Sequence, residues 1–287
     1  MIRSLTAALV VTVGAASCVG ITVPPVTEQA TNTKQVGKFV WFDLVTEDVA
    51  AVKSFYAGLF GWSFDRVSED DTYTLITAKG DRIGGIVFSD RLSDASESRW
   101  VAYLSVADVD VATALVREEG GTVYVAPRDV PDRGRIAVVG DPQGAILALV
   151  DATGGDPADE DPASGKWLWN ELWTTNTGAS FAFYEKLVGY ERREFGEVEG
   201  EPYQLMRRDD RFRAGMVRLP WEGVKPNWLP YVYVNDPAAT ARKVEGLGGR
   251  VILSPEGALH DGVAIIMDPS GAAFGVQRPP SREAPSE

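Results

Sequence analysis

The stretch GKFVWFDL at residues 37–44 returns later in the chain as GKWLWNEL at residues 165–172. Gly, Lys, Trp and Leu recur at matching places, and an acid in one copy is matched by an acid in the other. Further matches follow in the same order, ending with DPQGA at 141–145 and DPSGA at 268–272. Self-similarity of this kind indicates that one unit has been duplicated in tandem.

Each copy predicts the same run of elements twice. In the first copy, the β-branched and aromatic residues over 39–46 predict a strand. Asp48, the apolar spacing over 49–60 and Gly61 then predict a capped helix. Three short strands follow, and the order of strand, helix and three strands starts again at residue 100. The fold class is therefore α+β, with four βαβββ modules in two tandem domains.

The segments outside the repeats lack apolar periodicity. The acidic stretch between the copies is rich in Gly and Pro, which is typical of a solvated linker. The predicted organisation is a signal peptide at 1–18, a flexible tether at 19–36, the first domain at 37–151, a linker at 152–164, the second domain at 165–280 and a tail at 281–287.

The pattern W-x-[DE]-L, then FY, then G-G and a terminal D-P-x-G-A resembles the vicinal oxygen chelate superfamily, over about 37–151 and 165–278. That superfamily includes glyoxalase I, extradiol dioxygenases and bleomycin-resistance proteins. The chain is most similar to its tandem-domain, glyoxalase-like bacterial branch. The resemblance implies that each pair of modules curls into a cup that holds a ligand.

The resemblance also implies where a metal would bind, and there the residues differ from the family. Family members that carry out metal chemistry place His or Glu on the inner strands. A single Cys and a single His in the whole chain also exclude zinc sites built from several Cys or His ligands. We therefore expect no metal and no cofactor in either domain. The matching positions hold Trp41, Trp169, Val101, Leu229, Ala148 and Gly275.

Strand alternation predicts which side chains line the cups, since every second residue points to the same face. Aromatic walls around one acid suit a flat or cationic small molecule. The alternative is that these aromatic residues fill the cups as core. The candidate lining residues are Trp41, Asp43 and Tyr103 in the first cup, and Trp169, Glu171, Trp173, Tyr231 and Tyr233 in the second.

The two acids at the matching repeat position, Asp43 and Glu171, have two interpretations. A carboxylate removed from water is able to act as a general base, which makes both residues catalytic candidates. Alternatively each acid pairs with an arginine of a nearby strand, such as Arg135 in the first copy, and only closes the cup.

The N-terminus reads as an export signal. Arg3 precedes an apolar stretch that is too short to span a bilayer. Cys18 follows Ala15-Ala16-Ser17, which resembles a bacterial lipobox and predicts lipidation of Cys18. The expected location is the cell envelope, with the chain attached to the membrane only through a lipid anchor. The alternatives are a secreted or periplasmic protein and an uncleaved N-terminus.

Charge and duplication limit the partners. The chain holds 28 Lys and Arg against 41 Asp and Glu, for a net charge of −13, and such a balance repels nucleic acid. Because one chain supplies four modules, we expect a monomer. Three functions stay open: a metal-independent binder of an apolar or aromatic small molecule, a lyase, isomerase or hydroxylase that uses Asp43 or Glu171 as a base, and a structural module with filled cups.

Overall fold

The computed structural model describes residues 23–67, 72–90, 98–161, 163–198, 201–219, 223–256 and 262–279. Within these ranges the chain forms two mixed eight-stranded sheets, one in each repeat. The α+β class and the four βαβββ modules predicted from the sequence are confirmed.

The strands of the first sheet are β1 Phe39–Thr46, β2 Ser63–Arg66, β3 Tyr73–Ala78, β4 Asp81–Phe88, β5 Arg99–Ser105, β6 Thr122–Val130, β7 Gly134–Gly140 and β8 Ile146–Ala152. Those of the second sheet are β9 Trp167–Thr174, β10 Glu191–Val198, β11 Glu201–Arg208, β12 Arg211–Arg218, β13 Asn227–Tyr233, β14 Arg250–Leu253, β15 Val263–Met267 and β16 Ala273–Gln277.

Each sheet joins two modules through their first strands. The spatial order is β2-β3-β4-β1-β5-β8-β7-β6 in the first sheet and β10-β11-β12-β9-β13-β16-β15-β14 in the second. β1 pairs antiparallel with β5 and parallel with β4, and β9 pairs in the same way with β13 and β12. The acids of the repeat therefore lie on the central strands, where the two modules of each cup meet.

Four helices follow the first strands: α1 Val49–Phe60, α2 Val109–Glu118, α3 Thr177–Val188 and α4 Pro237–Val244. The predicted cap is present, because the Asp48 side chain accepts a hydrogen bond from the Ala51 amide. At the other end of α1, Gly61 has a φ of 72°, a left-handed conformation that glycine adopts without strain.

The helices lie between the two sheets and join the domains. One core packs α1 against residues of the second domain such as Val244 and Phe274. A second core packs α2 together with Phe181 and Tyr184 of α3. Both helical layers are thus buried between the repeats. No helix in the described ranges has the length and apolar content that crossing a bilayer requires.

Two hydrogen bonds cross between the domains at equivalent places. Tyr56 in α1 donates to Asp268 at 3.0 Å, and Tyr184 in α3 donates to Asp141 at 3.0 Å. Both acids begin the D-P-x-G-A motif, and both tyrosines belong to the Phe-Tyr pair that marks the repeat. The motifs of one copy therefore bind the motifs of the other.

The segments expected to be flexible are ordered where they are described. Residues 23–36 do not form the expected tether. Val26 is buried in the first cup, and the backbone N–H of Asn32 donates a hydrogen bond to the carbonyl oxygen of Gly154. The start of the expected linker is also fixed: Asp156 is buried and accepts from Ser105 at 2.6 Å. These segments lack apolar periodicity. They are held instead by buried Pro and Val side chains and by hydrogen bonds to buried polar groups.

Candidate functional site

The carboxylate of Asp43 lies at the centre of the first cup and is 3% exposed. Oδ1 accepts hydrogen bonds from Trp41 Nε1 and from the Tyr73 hydroxyl, both at 2.8 Å. Oδ2 accepts from the Tyr103 hydroxyl at 2.7 Å. Three neutral donors from three strands therefore fix this acid in place.

Arg133 lies beside this cluster and is 1% exposed. Its guanidinium carbon is 4.2 Å from the centre of a Trp41 ring, and Nη2 is 3.2 Å from the Tyr73 hydroxyl. The prediction that Arg135 pairs with Asp43 is wrong. Arg135 lies outside the cup and pairs with Asp129 at 3.0 Å. Arg133 lies in the turn before β7 and Arg135 lies on β7 itself, and only the earlier residue is buried in the cup.

The N-terminal segment closes the same cup. Arg133 Nε donates to the carbonyl of Pro24 at 2.8 Å, and Pro24 itself is buried. Val26 is 3% exposed and packs in a cluster with Trp41 and Tyr103. The first cup is thus occupied by side chains of its own chain.

Glu171 lies at the centre of the second cup and is 6% exposed. Its Oε1 accepts from Trp173 Nε1 at 2.7 Å and from the Tyr231 hydroxyl at 2.9 Å. Oε2 accepts from the Tyr203 hydroxyl at 2.6 Å, and that hydroxyl also accepts from Trp169 Nε1 at 3.1 Å. The donor types around Asp43 recur around Glu171, and its hydrogen-bond donors among the described residues are three neutral groups.

The two cups differ at the position of the arginine. Arg133 stands three residues before Ile136, which pairs with Val150 in β8. His260 stands three residues before Val263, which pairs with Gln277 in β16. The register therefore matches Arg133 with His260, which lies outside the described residues.

The phenols around both acids stay protonated. Burial raises the pKa of Tyr103 and of Tyr231 well above the ordinary tyrosine value, and the adjacent carboxylate raises each pKa further. The pKa values of Tyr73 and Tyr203 are raised for the same two reasons. At neutral pH these hydroxyls therefore carry the proton that they donate to the acids.

Two glycines make room for two of these hydroxyls. A Cβ on Gly85 in β4 would lie 2.1 Å from the Tyr73 hydroxyl, and one on Gly215 in β12 would lie 2.0 Å from that of Tyr203. Tyr73, Tyr203 and Arg133 were not among the candidates from the sequence. A glycine inside a strand, facing a tyrosine on the neighbouring strand, is the signal that could have found the two tyrosines.

The structure places the other candidates as follows. Trp41 and Tyr103 contact the acid of the first cup directly, and Trp173 and Tyr231 contact that of the second. Tyr233 is half-buried at the end of β13 and exchanges backbone hydrogen bonds with Gly165 and Lys166. Cys18, the predicted lipidation site, lies outside the described residues.

The positions that the resemblance assigns to metal ligands do not fit a metal. The indole nitrogens of Trp41 and Trp169 are hydrogen-bond donors here, and donors of this type offer no lone pair to a cation. The remaining matching positions carry only apolar side chains or glycine. Among the described residues, no three His, Cys, Asp or Glu side chains come together to hold a metal ion.

Comparisons with known proteins agree with this architecture. Residues 38–149 match the model of the Glyoxalase/Bleomycin resistance protein/Dioxygenase superfamily. The chain is 33% identical over 244 residues to the putative glyoxylase CFP32 of Mycobacterium tuberculosis, covering 83% of this chain and 94% of that protein. It is 31% identical over 255 residues to the anthracycline biosynthesis protein DnrV of Streptomyces peucetius, covering 84% and 92%.

A solved structure shows the same fold. The Mn(II)-bound glyoxalase from Novosphingobium aromaticivorans superposes with a TM-score of 0.58 at 17% identity, over 85% of this chain and 82% of that one.

Proposed function

Because this chain belongs to the Glyoxalase/Bleomycin resistance protein/Dioxygenase superfamily, we propose that it is an envelope-associated protein that binds a flat aromatic small molecule in its second cup without a metal. The observation that carries this proposal is the difference between the two cups. The first holds Arg133 and the buried Val26 of its own chain, whereas the described partners of Glu171 in the second are neutral.

The second cup offers both parts of an aromatic binding site. Trp169 and Tyr203 are only partly buried, so part of each aromatic side chain is available as a stacking surface. Glu171 supplies a carboxylate that accepts a hydrogen bond or pairs with a cation. A planar ring system with an amino or hydroxyl substituent matches this combination.

A fluorescence titration with an anthracycline tests the proposal. Anthracyclines are flat, fused-ring aromatic compounds, and a relative that is 31% identical is named as an anthracycline biosynthesis protein. We expect quenching of the ligand fluorescence by the full-length protein. Glu171→Gln should weaken binding by about tenfold, since a hydrogen bond to a charged group is worth ~1.5–3 kcal/mol.

Asp43→Asn is the matched control, because Asp43 occupies the same repeat position in the filled cup. It should leave the affinity within about twofold of the wild type, a difference of less than ~0.5 kcal/mol. Loss of binding in Asp43→Asn with full binding in Glu171→Gln would place the ligand in the first cup instead. Absence of quenching by the wild type would contradict the proposal for this ligand class.

Metal independence has its own test. The same titration is repeated after treatment with a chelator and after addition of Mn²⁺, Zn²⁺ or Fe²⁺, and the metal content of the purified protein is measured. We expect the affinity to be unchanged and the metal content to be far below one ion per chain. A stoichiometric metal would contradict this part of the proposal.

Attachment to the envelope rests on residues 1–18 and on Cys18. We expect the chain to take up an alkyne-labelled fatty acid in the cell and to sediment with membranes. Cys18→Ser should abolish both, because serine offers no thiol for acylation. Uptake by Cys18→Ser, or release of the wild type into the soluble fraction, would instead favour simple secretion.

An enzyme that uses Glu171 as a general base is the second candidate. The favouring observation is the position of this carboxylate, which lies in an aromatic cup and is 6% exposed. A general base has to lie about 2.6–3.2 Å from the atom whose proton it takes, so a bound substrate would have to displace a hydroxyl such as that of Tyr203. Chemical conversion of a bound ligand by the wild type, lost in Glu171→Gln, would establish this role.

A further inference from the structure

Phe195 is a large apolar side chain that is 64% exposed, and it lies on β10, an edge strand of the second sheet. Its neighbour Glu194 pairs with Gln204 in β11, so Phe195 comes next along the ladder and stands beside Tyr203. Residues that stand opposite each other on paired strands share a face of the sheet. The Tyr203 hydroxyl donates to Glu171 at 2.6 Å, so this face is the one that forms the second cup.

A contact on the other face of β10 supports this placement. The guanidinium carbon of Arg192 is 4.4 Å from the ring centre of Phe181, which belongs to the core that packs α2 and α3. Alternate residues of a strand point to opposite faces, so Arg192 points to the helices and Phe195 to the cup. Because β10 is the last strand of the sheet, Phe195 lies at the rim of the second cup.

Leu205 adds a third apolar side chain on this face. It stands two residues after Tyr203 on β11, so it points to the same side, and it is only partly buried. Its partner in β10 is Arg193, which is exposed, so the charge of that residue stays at the edge in water. Phe195, Tyr203 and Leu205 together form the rim patch, which combines two aromatic rings with one aliphatic side chain.

The same corner is covered in the first cup, where the counterparts of the rim patch are Val67, Tyr73 and Leu75. Val67 stands beside Tyr73 and donates its backbone N–H to the Tyr73 carbonyl oxygen at 3.4 Å. Tyr73 and Leu75 are both buried. Leu75 belongs to the cluster that contains Val26 of the N-terminal segment, and Val67 packs against that cluster. An apolar side chain from outside the sheet is thus part of this corner.

The segment before the second repeat is held elsewhere. Gly154 stands eleven residues before Gly165, as Val26 stands eleven residues before Gly37, and the Gly154 carbonyl oxygen accepts from the backbone N–H of Asn32. Residues 154–156 are therefore tied to the first domain and its N-terminal segment. Among the described residues, the chain covers this corner in the first cup and leaves the rim patch partly exposed in the second.

We infer that the rim patch is a further subsite of the second cup, which takes an uncharged aromatic ring of the ligand. This inference rests on the function proposed above, because it adds an apolar contact at Phe195 to the polar contact at Glu171. Burial of a ring against aromatic and aliphatic side chains favours binding without any polar contact. The ligand class is therefore an elongated molecule with a polar group at one end and an apolar ring at the other.

Fluorine nuclear magnetic resonance on the full-length protein tests this subsite with toluene, a ring that has no polar group for Glu171. The protein is labelled with para-fluorophenylalanine, and the Phe195 signal is the one that is absent from Phe195→Thr. We expect this signal to shift and saturate with toluene, in the wild type and in Glu171→Gln alike. The signal of Phe88, an exposed phenylalanine of the first domain, should not shift.

Two leucine variants locate the bound ring. Leu205→Thr should weaken toluene binding by at least about fivefold, a difference of ~1 kcal/mol, because it removes apolar surface from the rim patch. Leu253→Thr is the matched control, because Leu253 is partly buried in the same cup but lies on β14 at the opposite edge of the sheet. It should bind toluene as the wild type does. Equal weakening by the two variants, or no saturable shift at Phe195, overturns the inference.

The anthracycline titration separates this inference from the proposed function. Phe195→Thr should weaken anthracycline binding by about fivefold, whereas Phe88→Thr should leave it unchanged. A saturable toluene shift without anthracycline quenching would uphold the rim patch and reject the proposed ligand class. Quenching that is weakened by Glu171→Gln, with no toluene shift at Phe195, would uphold the proposed function and overturn the subsite.

Discussion

Arg133 and Arg135 are close in the sequence but occupy opposite environments. Arg133 is 1% exposed and packs on Trp41, whereas Arg135 pairs with Asp110 and Asp129 at the surface. We predict that Arg133→Met lowers the free energy of unfolding by about 3 kcal/mol, because it removes a buried cation from a cluster that contains a buried acid. Urea denaturation measures this change.

Arg135→Met is the matched control for that prediction. Surface ion pairs contribute little to stability, so its urea midpoint should stay close to that of the wild type. Equal midpoints for the two variants would show that the buried guanidinium does not stabilise the first cup.

The tyrosines of the cups predict how stability depends on pH. In the folded protein the pKa values of Tyr103 and Tyr231 lie above the value of about 10 that an unfolded tyrosine has. Their contribution to stability is therefore complete below pH of about 10 and is lost as the pH rises toward the folded-state pKa values. We expect this contribution to the free energy of unfolding to fall only in that alkaline range.

Spectrophotometric titration of tyrosinate provides the measurement. The native protein should show a group of tyrosines that ionise only when the chain unfolds, whereas the urea-unfolded chain should titrate near pH 10 throughout. Tyr103→Phe and Tyr231→Phe should each lower the number of tyrosines that ionise only on unfolding. Ionisation of every native tyrosine near pH 10 would contradict the burial that we describe.

Strand alternation predicts which face of a strand is inward, and that is why Trp41, Asp43 and Tyr103 could be grouped from the sequence. It does not predict which side chain from the next strand reaches across. Tyr73 and Arg133 enter the cluster from β3 and from the turn before β7, through contacts between residues that are far apart in the sequence. The sequence therefore indicates the centre of each site but not its full set of contacts.

At the scale of elements, the repeat made most of the fold predictable. Capping residues mark where the helices begin, and glycines mark where they end. Both copies carry these signals at matching positions, as the N-caps Asp48 and Asn176 show. Residues 23–36 carry no periodicity, so nothing local indicated that they pack. Their order comes from tertiary contacts such as that between Pro24 and Arg133, which no local pattern encodes.

This segment yields a prediction of its own. Val26 is 3% exposed in the first cup, so Val26→Asp would bury a carboxylate in the same cup as Asp43. We expect the segment to leave the cup, with a lower melting temperature and faster proteolysis within residues 23–36. Gln29→Asp is the control, since Gln29 is exposed and should behave as the wild type. Equal protease sensitivity of both variants would show that Val26 does not hold the segment.

At the scale of the whole molecule, the duplication predicts a monomer. The helical faces that a single domain would leave uncovered are buried here against the other repeat, as α1 is against Phe274. The soluble form that starts after Cys18 should therefore show the mass of one chain in light scattering over a wide concentration range. A stable dimer would mean that another surface, outside these two helical layers, is used for association.

The cross-domain tyrosines give the sharpest test of how the two repeats are joined. The Tyr184 hydroxyl donates to Asp141 and accepts from Trp228 Nε1 at 2.8 Å. Tyr184→Phe removes both bonds and leaves two buried polar groups without this partner, so it should cost about 1–3 kcal/mol in urea denaturation.

Tyr56→Phe makes the same change at the other cross-domain contact and should cost a similar amount. Tyr124→Phe is the control, because Tyr124 is only half-buried on β6. If the two contacts act independently, the double variant Tyr56→Phe and Tyr184→Phe should lose the sum of the single effects. A double variant no less stable than either single variant would instead mean that breaking one contact already releases the other, so that the two repeats dock as one cooperative unit.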